Sequence, residues 1–278
     1  MNGLRQESMN RISDYNKLKD DISSWLSNYK DTSSSECFVV GVSGGIDSAV
    51  SSTLAAETGY PVYAIGMPIH QNEKQKELSE IHLDWLERIY PNVIVLKYDL
   101  TNTFESFRYT IGVDSDNVDN HSLANTRSRL RMVTLYQIAG KHKGLVVGTG
   151  NKVEDYGVGF YTKYGDGGVD VSPIADLYKT EVWELGKFFG VDSRIIEAKP
   201  TDGLWDDERT DEDQLGASYE DLEWVMESKI FNNHKNPESL NQWMGNELTF
   251  QQKTAIEKYG KFNRQNKHKM ISIPTFKL

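Results

Sequence analysis

At 278 residues, 38% hydrophobic and 26% charged, the chain has the apolar content for a substantial core and the balance of a globular protein. A formal charge of −10 argues against a general nucleic-acid binder, which needs a basic surface, and makes lysine and arginine at special positions the informative cations. No apolar run is long enough to span a membrane, the start MNGLRQESMNRISD carries no signal-peptide core, and the single Cys37 allows no intramolecular disulfide. A cytoplasmic protein with no membrane or nucleic-acid partner is therefore expected.

In chain order, Met9–Tyr29 places Ile12, Tyr15, Leu18, Ile22, Trp25 and Leu26 at amphipathic helical spacing. Phe38–Val42, Val62–Gly66, Val93–Lys97 and Leu145–Gly148 read as short buried strands, β-branched or aromatic and bounded by turn residues. Cys37 enters the first of them and reads as a small buried hydrophobe, not a nucleophile. Helical patterns over Ser48–Thr58, Asn72–Ile89 and Ser122–Gly140 lie between the strands. This alternation predicts an α/β fold, a Rossmann-like, doubly wound parallel sheet with helices on both faces. Ligands bind such sheets beyond the carboxyl ends of the strands, so Ser43–Ser48, Met67–His70, Asp99–Asn102 and Thr149–Asn151 are expected to share one crevice.

Beyond the fourth strand, Gly150–Asp170 is rich in glycine and aromatics, and Lys179–Gly190 predicts a helix closed by a glycine. The acidic run Asp202–Asp213 reads as a solvated loop, and short helices are expected around Glu220–Lys229 and Phe250–Tyr259. No internal repeat or linker divides the chain. It reads as a single domain, 1–278, with an N-terminal helix in 1–30, a nucleotide-binding core in 37–190 and C-terminal loops and short helices in 191–278.

The most informative stretch is Val39-Val40-Gly41-Val42-Ser43-Gly44-Gly45-Ile46-Asp47-Ser48, in which a β-branched run passes through two glycines into a helix start. Glycines let the backbone bend and approach a ligand closely, and the unpaired amides of a helix N-terminus favour an anion such as phosphate. Ser43 and Ser48 add hydroxyl donors, and Asp47 supplies a hard oxygen suited to Mg²⁺. The Gly-Lys-Ser/Thr ending of a Walker A loop is absent. The segment resembles instead the pyrophosphate loop of the ATP pyrophosphatases, which split ATP into AMP and pyrophosphate to activate a substrate oxygen.

A second constellation, Gly148-Thr149-Gly150-Asn151-Lys152-Val153-Glu154-Asp155, follows the fourth strand. An acid here lies on the same sheet edge as Asp47 and could complete an oxygen-ligand Mg²⁺ site together with ATP phosphates and water. Taken alone, its glycines could punctuate a loop and Glu154 could be a solvated acid. Likewise, Arg129 stands among Arg127 and Arg131 as a possible solvated face, Lys179 could support its helix through a local ion pair, and His268 could lie on the surface of a polar tail.

The ordered series SGGIDS, NTRSRLRM, GTGNKVED, GFYTKYGDGGVDVSPIADLYKTEV, KPTDGL and a terminal His-Lys before a proline resembles the ammonia-dependent NAD synthetases over residues 37 to 274. That resemblance implies a sheet of the adenine nucleotide alpha-hydrolase type and the amidation of nicotinic acid adenine dinucleotide by ammonia at the expense of ATP, through an adenylated carboxylate. It matches Ser43, Gly44, Gly45 and Ser48 to the pyrophosphate loop, Asp47 and Glu154 to the Mg²⁺ ligands, and Thr149, Lys179 and Thr201 to ATP contacts. Arg129, Lys163, Asp170, His268 and Lys269 match positions that bind the dinucleotide, and Asp166 becomes the group that holds ammonium and removes its proton. The spacing from Glu154 to Gly159-Phe160-Tyr161-Thr162 is one residue longer than in some relatives, which leaves Asp155 as a second candidate for the metal. Relatives of this kind are homodimers, a role the apolar N-terminal helix would suit, although core packing explains Ile12, Leu18 and Trp25 equally well.

Glutamine-dependent relatives carry an added glutaminase domain with a cysteine nucleophile, for which this chain has no length, so free ammonia is the expected donor. Two rivals stay open at this level. One is another ATP pyrophosphatase, acting on a purine nucleotide or on tRNA, though reactive cysteines and a basic surface are missing. The other is a regulatory module that binds ATP without turnover, which has no need of Asp47, Glu154 and Lys179 together.

Overall fold

A computed structural model describes residues 11–113, 120–201, 210–228 and 248–278. Helix α1 spans Tyr15–Thr32, starting where the Asp14 carboxylate accepts from the Lys17 amide; of the helix expected from Met9, Met9 and Asn10 lie outside the described residues and 11–14 precede the first turn. Then follow β1 (Cys37–Gly41), α2 (Ile46–Glu57), β2 (Val62–Gly66), α3 (Glu73–Ile89), β3 (Val93–Lys97), α4 (Thr101–Thr110), α5 (Asn120–His142) and β4 (Gly144–Val147). A π-helical turn at Val153–Val158 comes next, then α6 (Lys179–Phe189), α7 (Ser193–Ile196), α8 (Asp211–Leu215), α9 (Tyr219–Glu227) and α10 (Phe250–Met270).

The strands form a parallel sheet in the order β3-β2-β1-β4, with Val40 level with Ala64 on one side and Val147 on the other. Alternate residues of β1 face opposite ways, as strand geometry requires. Phe38 and Val40 join Val50 and Leu54 of α2 and Leu185 of α6 in the larger core. Cys37 and Val39 join Ala139 and Leu135 of α5 in a smaller one, so both faces of the sheet are covered and Cys37 is buried as its sequence context suggests.

From β1 the chain winds through α2 to β2 and β3, then returns across the sheet to place β4 on the other side of β1. The carboxyl ends of β1 and β4 therefore flank the point where the winding reverses, the usual ligand crevice of such sheets. Both the Ser43–Ser48 loop and the Gly148–Lys152 turn open there. A Cβ on Gly186 would lie 2.5 Å from Ile46 Cδ1, so α6 seats directly on α2, and Lys179 at the start of α6 reaches Asp47 in the first turn of α2.

Three features differ from the sequence reading. Helix α4 was not among the expected elements; only Phe104 of its ten residues is buried. The C-terminal region is not made only of loops and short helices: α10 runs 21 residues, to Met270 and not to Tyr259, and carries His268 and Lys269 on its last turn. Asp211, expected in a solvated acidic loop, is buried at the start of α8, while 202–209 lies outside the described residues.

Candidate active site

The Ser43–Ser48 loop has the conformation its glycines foretell. Gly44 holds φ +91°, and a Cβ there would stand 2.7 Å from the Gln75 carbonyl and 2.8 Å from the Ser79 amide, so no other residue fits the turn. The Ser43 and Ser48 hydroxyls lie 3.1 Å apart, the Ser43 amide donates to Ser48 Oγ, and the Gly45 amide donates to Ser43 Oγ. Gly45 caps α2 without a side chain, which leaves the first-turn amides directed into the crevice.

Where α2 and α6 meet, Lys179 donates to Asp47 Oδ2 at 2.5 Å and to Glu154 Oε1 at 3.2 Å. Lys179 is only 2% exposed. Burial alone would lower its pKa, but the charges of Asp47, Glu154 and Asp211 outweigh that effect and hold the ammonium well above its ordinary range. Burial pushes the Asp47 carboxyl up to about 6; Glu154 adds to the rise and Lys179 opposes it. Tyr219 completes the cluster. Its hydroxyl donates to Glu154 Oε1 at 2.7 Å, and its ring lies 4.9 Å from Lys179 Nζ.

The start of α6 is held by its neighbours as well as by Lys179. Glu223 accepts from the Thr180 amide and hydroxyl, and its own burial pushes it up to about 7 against those bonds. Arg11 reaches back from the N-terminal segment to make paired bonds to Glu181 at 2.9 and 2.7 Å.

Glu154 and Asp155 diverge on the π-helical turn. Glu154 reaches Lys179, whereas the Asp155 carboxylate lies against Gly150, where a Cβ would collide with it. Burial, then the charges of Glu154, Asp166 and Asp47, push Asp155 up to about 8. Asn151 organises this turn: its Oδ1 accepts from the Val153 and Glu154 amides. Its Nδ2 stands close enough to Asp47 to favour the ionised carboxylate, yet outside hydrogen-bonding geometry. Asp47 Oδ1 is likewise buried without a protein partner among the described residues. Two hard carboxylates converging on one point, one with a spare oxygen, fit Mg²⁺, which commonly takes one or two carboxylates plus phosphates and water. No group of three or more metal-binding side chains exists among the described residues, so protein ligands alone would not complete such a shell.

Asp166 is solvent-exposed in the loop that follows Tyr161, beside Ser128 of α5. Its Oδ1 accepts from Ser128 Oγ at 2.6 Å and from the Thr162 amide at 2.9 Å. Partial desolvation by the protein around its carboxylate raises its pKa, and those hydrogen bonds oppose the rise.

The remaining expected residues divide. Arg129, Lys163, His268 and Lys269 gather at the 161–164 loop: Arg129 donates to the Lys163 carbonyl, Lys163 Nζ to the His268 carbonyl, and Lys269 Nζ to the Tyr161 carbonyl. Asp170 does not join them. Its carboxylate accepts from Tyr136 Oη and the Val146 amide, pinning its own segment beside β4. Thr149 lies in the turn after β4, and Thr201 is exposed at the edge of the described chain, near Pro200, whose carbonyl accepts from the Asp211 amide. Tyr219, Ser128, Glu223 and Arg11 are the site-forming residues that the sequence reading did not single out. Ser128 lay inside the NTRSRLRM run, and Asn151 inside a segment already expected in the crevice; the others carried no local signal.

The parallel sheet, the glycine-turned anion loop at its switch point and the buried Lys–carboxylate cluster are the features of a nucleotide-binding α/β protein. The NAD synthase family profile matches residues 18–272, and the chain belongs to that family. It is 39% identical over 221 residues to the NH(3)-dependent NAD(+) synthetase of Thermococcus kodakarensis, covering 78% of this chain and 82% of that protein. A solved NMN synthetase from Francisella tularensis superposes with a TM-score of 0.79 at 28% identity, covering 96% of this chain and all of that one. An NH3-dependent NAD synthetase from Campylobacter jejuni gives 0.73 at 23% identity over 96% of this chain and 100% of its own, a likeness of fold. No described helix is long and apolar enough to cross a membrane.

Proposed function

We propose that the chain amidates nicotinic acid adenine dinucleotide with ammonia, converting ATP to AMP and pyrophosphate and yielding NAD. The observation that carries this reading is the meeting of Asp47, Glu154 and Lys179 beside an uncapped helix N-terminus, in a chain of the NAD synthase family.

A carboxylate is a poor electrophile with a poor leaving group, so it must be activated. The pyridine carboxylate oxygen attacks the α-phosphorus of ATP, the bond to pyrophosphate breaks, and a mixed anhydride with AMP forms. Ammonia then adds to the activated carbonyl and AMP departs. The amides of the Ser43–Ser48 loop and the hydroxyls of Ser43 and Ser48 grip the pyrophosphate, with Thr149 and Thr201 as further ATP contacts. Lys179 stabilises the charge that gathers as pyrophosphate leaves. Asp47 and Glu154 would hold Mg²⁺, which when bound would neutralise phosphate charge, and the turn of Asp155 toward Gly150 supports Glu154 over Asp155 in that role. Asp166 holds ammonium and takes its proton, with Ser128 and the Thr162 amide fixing the receiving carboxylate. Arg129, Lys163, His268 and Lys269 bind the dinucleotide. Asp170 keeps that role as an expectation from resemblance, with its carboxylate already engaged by β4.

The same reading makes the enzyme a cytoplasmic homodimer. The likeness to the Francisella tularensis protein supports a second reading, in which the substrate is the corresponding mononucleotide acid. Product analysis with Mg²⁺, ATP, ammonia and each acid in turn separates them. NAD formed from the dinucleotide at far higher kcat/KM supports the first reading; turnover confined to the mononucleotide overturns it. In Asp166→Asn, adenylate formation persists while amidation falls about a hundredfold; unchanged turnover removes Asp166 from its role.

A further inference from the structure

The π-helical turn carries Glu154 at one end and leads into the Lys163–Asp166 loop at the other, and what fixes it is α10. A π turn closes wide i→i+5 rings and accommodates one residue more than an α turn. Such a turn is weak alone, and its last carbonyls have no partner within the helix. The carbonyls of Gly157 and Val158 belong to buried residues. Each receives a side-chain amide from the same helix: Asn263 Nδ2 donates to Gly157 O at 2.7 Å, and Asn266 Nδ2 to Val158 O at 2.8 Å. Residues three apart share a helix face, so the two amides present as a pair.

Approach is as close as backbone allows. Gly159 holds φ +63°, and a Cβ there would stand 2.5 Å from Asn266 Cβ and 2.7 Å from Met270 Cε. The same face continues to Lys269, bonded to the Tyr161 carbonyl at 2.7 Å, and receives Lys163 at the His268 carbonyl. Beneath it, Val153 and Val158 pack with Ile256, Tyr259, Leu222 and Tyr219 in a core cluster separate from that of the sheet.

We propose that Asn263 and Asn266 are positioning residues through which α10 clasps the π turn, setting Glu154 on the ATP side relative to Lys163 and Asp166 on the nucleotide side. The functional consequence rests on the amidation reading above; the clasp itself does not. It predicts that one lesson on α10 disturbs both ends of the crevice at once.

The experiment compares wild type with Asn263→Ala/Asn266→Ala by amide hydrogen exchange and steady-state kinetics. Exchange over 155–166 should quicken about tenfold or more while β1 and β2 stay unchanged, because each hydrogen bond lost weakens the closed state by up to about tenfold. The KM for the dinucleotide and the Mg²⁺ needed for half-maximal rate should both rise about tenfold, with kcat at saturation within about threefold. Asn266→Asp, which keeps the shape and loses the donor, should reproduce most of the effect. Gly159→Ala, which leaves both asparagines in the sequence but forces α10 away from the turn, should do so too, and it serves if the double variant fails to fold. Unchanged exchange over 155–166, or faster exchange with both constants unmoved, overturns the proposal. A wild-type protein that does not turn over the dinucleotide refutes the functional reading instead, and exchange alone then decides the clasp.

Discussion

The two halves of the crevice handle charge in opposite ways. On the ATP side, Lys179 is buried and held between Asp47 and Glu154, so the site is preassembled, with its one cation already paired to carboxylates. On the nucleotide side, Arg129, Lys163 and Lys269 hydrogen-bond only to backbone carbonyls, with no ion pair among the described residues. Carbonyls orient a cation without cancelling its charge. The first half is built to hold a metal–phosphate group in fixed geometry, the second to attract an anion to a shaped but electrically open surface.

This contrast breaks most visibly at Lys179. Replacing it by Met should lower pyrophosphate release about a thousandfold. It should also destabilise the fold by about 3 kcal/mol, because Asp47 and Glu154 are left facing each other without a cation. Rate assays and thermal unfolding check the two arms. A variant with normal stability would mean the cluster is less buried than the structure has it.

Next in size is the choice between neighbouring acids. Glu154→Gln should cost a few hundredfold in rate and raise the Mg²⁺ requirement, whereas Asp155→Asn should cost under about tenfold. Magnesium titrations of both variants decide it, and the reverse ranking would return the metal to Asp155.

Arg129→Ala should act on the other half alone. The dinucleotide KM should rise about tenfold while the ATP KM stays put, since a charge-assisted contact to an anion is lost. Equal shifts in both constants would show that the halves are not electrically separate.

A last effect falls on stability alone and concerns the scaffold under the ATP loop. His82 of α3 is buried against Ser52 of α2, with its Nε2 3.0 Å from Ser52 Oγ. Burial lowers its pKa to about 4. The unfolded chain takes up this proton near pH 6.5 and the folded one only near 4, so stability is fully present above about 6.5 and lost as pH falls through that window. The loss reaches about 3 kcal/mol at most. Thermal midpoints from pH 7 to 4 should show the slope in wild type and a weaker one in His82→Leu.

How much of this was legible in the sequence follows from how local each signal is. The Ser43–Ser48 loop could be read because strand, turn and helix start lie within a dozen residues, and the strands because each is a compact β-branched run. Tyr219 could not: its partner Glu154 is 65 residues away, and a lone tyrosine at a helix start says nothing of a carboxylate above it. Nor could the partnership of Ser128 with Asp166, 38 residues apart. The reading of α10 stopped at Tyr259 because Lys261–Met270 is largely polar and lacks an apolar repeat. That turn is held by asparagine and lysine facing backbone carbonyls, a pattern that hydrophobic periodicity does not register. Asp211 misled for the converse reason, since an acidic run suggests solvent and only the fold shows that it supports Tyr219 and Lys179.

The central claim is that this crevice activates a nucleotide carboxylate by adenylation. It is tested most directly by exchange of labelled pyrophosphate into ATP with ammonia withheld. Exchange that requires Mg²⁺ and nicotinic acid adenine dinucleotide together, and that disappears in Lys179→Met, is the predicted result. Exchange without the dinucleotide, or none with it while NAD still forms once ammonia is added, would contradict it.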